Sequence, residues 1–289
     1  MSALAERSRI AQPLPLIEYR RVVHRTRGAS HGPVTRLVSP SDVGELIKPF
    51  VFLDHFNLQP PGREWFGIHP HSGIATFTLM IGGSVAYEDT TGKSGVLPAG
   101  GLEWMRAGGG VWHDGRSPDL SRMHGLQLWV ALPPELENAA PESQYIAPGD
   151  VPQDGPVSVA LGRYGAARSP VHAPESINYL HVKLQDGERW RYQPPAGHTV
   201  AWAFVYAGRI DGPEPVAAGE LVVFEESNEP LEFLARGDTG FVVGSAIKHP
   251  HDLVLGYYSV HTSVDALERG EAEIQRIGQR LRAEGRLKK

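Results

Sequence analysis

The sequence contains no cysteine among its 289 residues. Disulfides, thiolate metal ligands and thiol nucleophiles are therefore excluded. Any metal ion would have to be held by histidine, by a carboxylate or by water. The absence of cysteine does not by itself identify a cellular compartment.

The chain also lacks an apolar run of about 18 residues, the length that predicts a membrane-spanning helix. Its first twelve residues carry charges at Glu6, Arg7 and Arg9 and do not resemble a secretory signal. The formal net charge is -5, from 28 Lys and Arg against 33 Asp and Glu. Without a basic field, neither direct nucleic-acid binding nor attraction to an anionic membrane is expected. We expect a cytoplasmic monomer.

Turn-forming residues are abundant, with 33 glycines and 24 prolines. Short β-prone segments separated by glycine-rich turns recur in both halves, which is typical of a sandwich or barrel. The turns Pro98-Ala99-Gly100 and Ala217-Ala218-Gly219 both precede a strand, which indicates an internal repeat of pattern but not of identity. The sequence therefore predicts an all-β protein.

A connection rich in proline, alanine and acidic residues spans 135–156 and marks the predicted domain boundary. Beyond Thr262 the apolar residues recur at the spacing of an α-helix, with Ser263 as the predicted N-cap. The predicted division is a flexible lead-in at 1–17, a first domain at 18–145, a second domain at 146–262 and a helix at 263–289.

A His-x-His pair, His69 and His71, lies in a segment with strand character. In an extended strand, residues two apart face the same side at a spacing of about 6.5 Å, so both imidazoles can bind one metal ion. His113 follows a glycine-rich run and is the candidate third ligand. Without a bulge, the odd-numbered side chains from His69 to Ile81 would share one face.

The same residues match the two cupin motifs in part. His69 and His71 fit the pair of the first motif, and Gly82 closes it at the expected distance. The position of the motif glutamate is Ala75. The second motif is matched by the Pro98-Ala99-Gly100 turn followed, after a longer interval, by His113.

Over roughly residues 18–285 the chain resembles the pirin family. The segments that carry the resemblance are Phe52-Leu53-Asp54-His55-Phe56, His69-Pro70-His71-Ser72-Gly73, Gly95 to Gly100, Glu103 to His113, His124 to Trp129, Ala217 to Leu221 and Tyr258 to Thr262. The resemblance implies an all-β fold of two cupin barrels (jelly rolls, or double-stranded β-helices) in tandem, followed by a C-terminal α-helix. The first barrel would carry the metal site and the second would lack a metal motif.

Pirins hold a single iron through three histidines and one glutamate. Carried over by position, His69, His71 and His113 match the three imidazoles, and the implied metal is Fe(II). The glutamate position is occupied by Gly115. Strand parity places residue 115, not Asp114, on the face of His113, so Asp114 is not a simple replacement.

Three interpretations of the site stay open at this point. In the first, water completes a three-histidine shell, as in other cupins that support O₂ chemistry. In the second, a carboxylate from elsewhere is the fourth ligand, with Glu103 as the best candidate because pirins usually carry glutamine there. In the third, the pocket is degenerate and weakly metallated.

Two functions follow from the resemblance. Some pirins have flavonol 2,3-dioxygenase activity, so the chain is predicted to be a metal-binding protein acting as a dioxygenase on a small aromatic substrate. Other pirins are iron-dependent, non-catalytic regulators that bind a protein partner. Because the ligand glutamate is missing, the residue best placed to accept the flavonol proton is absent, which weakens the enzymatic hypothesis.

Overall fold

The computed structural model describes residues 19–59 and 67–287. The predicted lead-in at 1–17 lies outside the described residues. Among the residues described, no helix is both long enough and apolar enough to cross a bilayer.

The first half is built from short strands with one single-turn helix. In chain order the elements are β1 (Val22–Thr26), β2 (Ala29–His31), β3 (Val34–Val38), α1 (Val43–Ile47), β4 (Phe50–Leu58), β5 (His69–His71), β6 (Ile74–Gly82), β7 (Ser84–Asp89), β8 (Ser94–Pro98), β9 (Leu102–Arg106), β10 (Val111–Arg116), β11 (Met123–Ala131) and β12 (Glu142–Ile146).

The second half begins with a 3₁₀ turn at Pro148–Asp150 and ends in the long helix. Its elements are β13 (Gln153–Asp154), β14 (Val157–Leu161), β15 (Arg163–Tyr164), β16 (Ala167–Arg168), β17 (Ile177–Leu184), β18 (Arg189–Tyr192), β19 (Val200–Asp211), β20 (Val216–Ala217), β21 (Glu220–Phe224), β22 (Leu231–Ala246), β23 (Val254–Gly256), β24 (Ser259–His261) and α2 (Val264–Ala283).

Two antiparallel sheets form the first barrel. A seven-stranded sheet runs in the order β12-β9-β6-β11-β4-β3-β2, and a four-stranded sheet runs β5-β10-β7-β8. The second barrel is a nine-stranded sheet with the main path β1-β21-β19-β22-β17-β14-β13. Neighbouring strands are mostly distant in sequence, as in a jelly roll, so the predicted all-β class with two cupin barrels and a C-terminal helix is confirmed.

One strand crosses between the halves. β1 pairs antiparallel with β21, with Arg25 opposite Val222. The predicted division assigned β1 to the first barrel, whereas the structure adds it to the sheet of the second. The boundary near residue 145 stays a prediction.

The seven-stranded sheet turns one face to the second barrel. There the ring of Phe77 meets Tyr179 edge to face at 5.5 Å, and Phe50 meets Trp202 at 5.4 Å. Ala75 belongs to the same buried core. This large apolar interface fixes the two barrels to each other.

The expectation of one shared odd-numbered face from His69 to Ile81 is wrong. Gly73, with φ of 75°, separates β5 from β6. Beyond this left-handed turn, Ala75 and Phe77 face the inter-barrel core, while Thr78 faces the interior of the first barrel. Ala75 therefore lies away from the histidines and not beside them.

Helix α2 begins after Ser263, whose side chain accepts a hydrogen bond from the Ala266 amide, as predicted. Its buried side includes Ile274, Ile277 and Leu281. Val264, the first residue of the helix, is 59% exposed, whereas Ala266 in the same turn is buried. The helix contacts β10 and β24, at the side of the first barrel that carries the histidines.

Candidate metal centre

The three predicted histidines meet in the first barrel. β5 and β10 pair antiparallel, with His113 opposite His69 and Val111 opposite His71. This register places one ligand-capable atom from each histidine within 4.8 Å of the other two. Among the residues described, no other group of at least three His, Asp or Glu side chains meets in this way.

Hydrogen bonds determine which ring nitrogens are available. His69 Nδ1 lies 2.8 Å from the Gly67 carbonyl oxygen, and His71 Nδ1 lies 3.0 Å from the Tyr258 carbonyl oxygen. A carbonyl can only accept, so each Nδ1 carries the proton and each Nε2 keeps its lone pair. Fixing the outer nitrogen in this way is how proteins orient metal-ligating imidazoles.

The Nε2 atoms of His69 and His113 lie 3.0 Å apart. A metal ion about 2.0–2.1 Å from each nitrogen spans that separation. His71 lies close by, with its ring centroid 5.0 Å from those of both His69 and His113. The donor set is therefore three imidazoles from one side, leaving the opposite side open for water or substrate.

Burial keeps the imidazoles of His69 and His71 neutral. It lowers the pKa of His69 to about 3, with a further contribution from nearby His113. The pKa of His71 is also well below its usual value, because the ring is buried and faces His69 and His113. Neutral imidazole is the form that binds divalent ions, so no proton has to be displaced near pH 7.

Glu103 is buried beside the histidines but does not join them. Its Oε2 accepts a hydrogen bond from Thr78 Oγ1 at 2.6 Å, and its Oε1 lies 3.3 Å from the Tyr145 hydroxyl. Oε1 is also 3.9 Å from His113 Nδ1, whereas it is Nε2 of His113 that faces His69. The structure therefore does not bring Glu103 into the ligand group, contrary to its candidacy as a ligand.

The missing glutamate position faces the site, as parity predicted. Gly115 lines the same cavity as His113, while Asp114 Oδ2 forms an ion pair with Arg116 Nε at 3.1 Å. Two carboxylates line the cavity: that of Asp114, which is paired with Arg116, and that of Glu103, which comes from another strand.

The cavity has a volume of about 40 Å³. Its lining includes His69, Thr78, Glu103, His113, Gly115 and Gln127. Since about 10–15 Å³ of such space is enough for one water molecule, the cavity suits an ion with a small ligand but not a two-ring molecule.

Sequence reasoning missed the groups that hold the pocket in place. The Tyr258 carbonyl contacts His71 across 187 residues of sequence, and the Tyr145 hydroxyl contacts Glu103 across 42. A backbone carbonyl leaves no signal in residue type, and tyrosine 145 lies in no motif. Counting alternate residues across Gly73 also gave the wrong face of the sheet for the histidines relative to Thr78, because the chain turns at Gly73.

Comparisons with known proteins identify the family of this chain. The pirin family model matches residues 33–130, which include the strands of all three histidines. A pirin-like protein of Caulobacter vibrioides is 37% identical over 219 residues, which cover 71% of this chain and 74% of the relative. The chain belongs to the pirin family.

Two further comparisons extend over most of the chain. A Pseudomonas aeruginosa protein provisionally named a quercetin 2,3-dioxygenase is 29% identical over 242 residues, or 78% of this chain and 84% of the relative. The crystal structure of a quercetin 2,3-dioxygenase from Acinetobacter baumannii has a TM-score of 0.77 at 22% identity, covering 89% of this chain and 95% of the other. At that identity the likeness shows the fold.

Proposed function

We propose that this pirin binds one divalent transition metal, Fe(II), and acts as a dioxygenase of the quercetin 2,3-dioxygenase type on a small aromatic substrate. One observation carries the proposal: three imidazoles converge, two of them with Nδ1 fixed by backbone carbonyls so that Nε2 is the available ligand atom. Such a site belongs to a metal that keeps open positions for other ligands.

The proposed ligands are His69, His71 and His113. Imidazole donors suit iron, zinc, copper and nickel alike. Fe(II) is proposed because the resemblance to pirins implies iron, and because two similar proteins carry the name of an oxygen-using enzyme. When bound, the ion would supply an electrophilic centre at which a hydroxylated substrate and O₂ can be held together. The chain's own contribution is to orient the ligands and to exclude bulk water.

We propose Glu103 as the group that accepts the proton of the substrate hydroxyl. Its carboxylate lines the cavity and is only 6% exposed. Thr78 donates to one oxygen at 2.6 Å, and Gln127 donates to Thr78 Oγ1 at 3.3 Å, so the carboxylate is held in place. Glu103 would then accept the proton in place of the glutamate that is missing at Gly115.

We place the body of the substrate outside the small cavity. A neighbouring open cleft of about 530 Å³ shares Asp114 with it and is bordered by Trp112 and Arg116. This volume is in the range of small-molecule sites. Only the hydroxylated edge of a planar substrate would reach the histidines.

The test measures metal content and oxygen uptake on the same preparations. Protein loaded with Fe(II) without oxygen should retain about one ion per chain after desalting, and should consume O₂ when quercetin is added. His69→Ala should lose both properties. His172→Ala is the matched control, since its exposed side chain lies outside the site, and it should keep both.

The outcomes separate the two parts of the proposal. Absence of a retained transition metal in the unmodified protein would contradict the metal site. Retained metal without quercetin-dependent oxygen uptake would contradict the dioxygenase and return the non-catalytic regulatory alternative, which the comparisons do not favour. The monomeric state and the lack of nucleic-acid binding stay predictions.

A further inference from the structure

The C-terminal segment lies directly on the chain that leaves His71. Ser72 and Ser259 form a parallel β-bridge, and their Oγ atoms are 2.8 Å apart. At Gly73 an added Cβ would lie 2.0 Å from the Val260 carbonyl oxygen. Only a residue without a side chain permits this approach, so the contact is built into the fold.

A buried polar chain anchors the same segment. Ser72 Oγ lies 3.0 Å from His261 Nε2, and His261 Nδ1 lies 3.2 Å from Glu137 Oε2. The arrangement has the order of a nucleophile, base and acid, but all three residues are at most 3% exposed. Gly270 of α2 closes over it, since a Cβ there would lie 2.6 Å from both Ser72 Oγ and His261 Nε2. This buried group of side chains therefore stabilises the fold, and a substrate cannot reach it.

Between these anchors, Tyr258 adopts a left-handed backbone with φ of 54°. This region is unfavourable for residues with a side chain, and it persists only where the surroundings hold it. The conformation turns the Tyr258 carbonyl toward His71, whose Nδ1 donates to it at 3.0 Å. A non-glycine outlier thus contacts a proposed metal ligand.

We infer that Tyr258 is a positioning residue of the metal site: its left-handed backbone aims the carbonyl at His71 Nδ1 and so holds His71 Nε2 toward the metal. The inference rests on the proposed metal site. It makes the segment around β23 and β24 part of the first barrel's metal centre, although the chain reaches it only after completing the second barrel.

The tyrosine ring is the competing explanation. Its centroid is 5.6 Å from that of His69 and 5.9 Å from that of His71, while the residue is 43% exposed. If ring packing alone mattered, any substitution that removes the ring would have the same effect. If the backbone matters, the effect depends on whether the new residue tolerates positive φ.

Substitutions at position 258 separate these explanations. Tyr258→Phe keeps the ring, Tyr258→Gly removes it but favours positive φ, and Tyr258→Val removes it and opposes positive φ because valine is β-branched. Tyr258→Asn is a second left-handed-tolerant variant in case the glycine loosens the segment. The probe is Co(II), measured by chelator competition and by its visible absorption spectrum.

We expect the Phe, Gly and Asn variants to bind Co(II) within about threefold of the unmodified protein, with an unchanged spectrum. We expect Tyr258→Val to bind about 10- to 100-fold more weakly and to change the spectrum, as loss of an outer hydrogen-bond partner does in other metal sites. Melting temperatures of the metal-free variants monitor the fold separately.

Equal weakening in the Gly, Asn and Val variants would overturn the inference and assign the role to the ring. Unchanged binding and spectrum in Tyr258→Val would also overturn it. If the unmodified protein binds no Co(II), the metal site itself is wrong and the inference falls with it; normal binding in every variant leaves the metal site intact.

Discussion

The two barrels share a frame and differ in what fills it. The turns Pro98-Ala99-Gly100 and Ala217-Ala218-Gly219 repeat in detail, with φ of 82° at Gly100 and 84° at Gly219. The amide of Gly100 donates to the Met80 carbonyl at 2.7 Å, and that of Gly219 donates to the Val205 carbonyl at 2.8 Å. The two turns, predicted from the sequence to correspond, therefore also share the same backbone geometry.

The interiors are different. The second barrel is packed with aromatic rings, where Trp190 lies 5.7 Å from Tyr192, 6.1 Å from Phe233 and 5.7 Å from Phe241. The first barrel leaves a cavity between its sheets, lined by histidines and a carboxylate. The same frame therefore serves stability in one half and a chemical site in the other.

The largest expected effect on stability is in the second barrel. Trp190→Ala should lower the free energy of unfolding by about 3–5 kcal/mol, because it empties a buried aromatic cluster. Gln127→Ala, which only enlarges an existing cavity in the first barrel, should cost about 0.5–1.5 kcal/mol for one hydrogen bond. Urea unfolding measures both; equal losses would contradict the division of roles.

Metal binding should not depend on the histidines of the second barrel. His113→Ala removes one of three proposed ligands and should weaken Fe(II) affinity about 100-fold or more. His198→Gln replaces a buried histidine of the second barrel and should leave affinity unchanged. Chelator competition checks both variants, and a loss of metal in His198→Gln would show that the site is not confined to the first barrel.

The carboxylate of the first barrel should affect turnover and not metal affinity. Glu103→Gln keeps the size of the side chain but removes the base, so oxygen uptake with quercetin should fall about 100-fold while Fe(II) affinity changes less than about threefold. Thr78→Val, which removes the hydroxyl that orients Glu103, should reduce uptake less. Weakened metal binding in Glu103→Gln would instead make Glu103 a ligand.

The last prediction is a pH dependence of the metal-free protein. Burial lowers the pKa of His69 to about 3, so the unfolded chain binds more protons than the folded one between about pH 6.5 and pH 3. The free energy of unfolding should therefore fall as the pH drops through this window, by at most about 1.4 kcal/mol per unit for this group.

His69→Asn should reduce that slope, measured by urea unfolding with a chelator present. Burial also lowers the pKa of His198, in the second barrel, to about 4, so part of the slope should remain. An identical pH dependence in the variant and the unmodified protein would show that His69 is not buried as a neutral ring.

Residue type and spacing were enough to predict the class of fold, the family and the convergence of His69, His71 and His113. These features depend on the alternation of side chains along a strand or on motifs, and both can be read directly from the sequence. The parity argument at Gly115 also held because β10 runs without a bulge between positions 113 and 115.

What escaped prediction depends on contacts between distant parts of the chain. The pairing of β1 with β21 joins residues about 200 apart in sequence, and the orientation of Ala75 depends on the turn at Gly73. The carboxylate in the pocket could be suspected from Glu103 but not positioned. Thr78 and Tyr145 lie directly opposite Glu103 on the neighbouring strands β6 and β12, so its hydrogen bonds to them exist only once this sheet has formed.

The central claim is that this pirin holds one metal ion through three imidazole nitrogens of the first barrel. Anomalous diffraction at the iron absorption edge, on crystals grown from Fe(II)-loaded protein, tests it most directly. The account predicts a single peak within about 2.0–2.3 Å of Nε2 of His69, His71 and His113, and none in the second barrel. A peak bound by Glu103 in place of a histidine, or no peak at these residues, would contradict it.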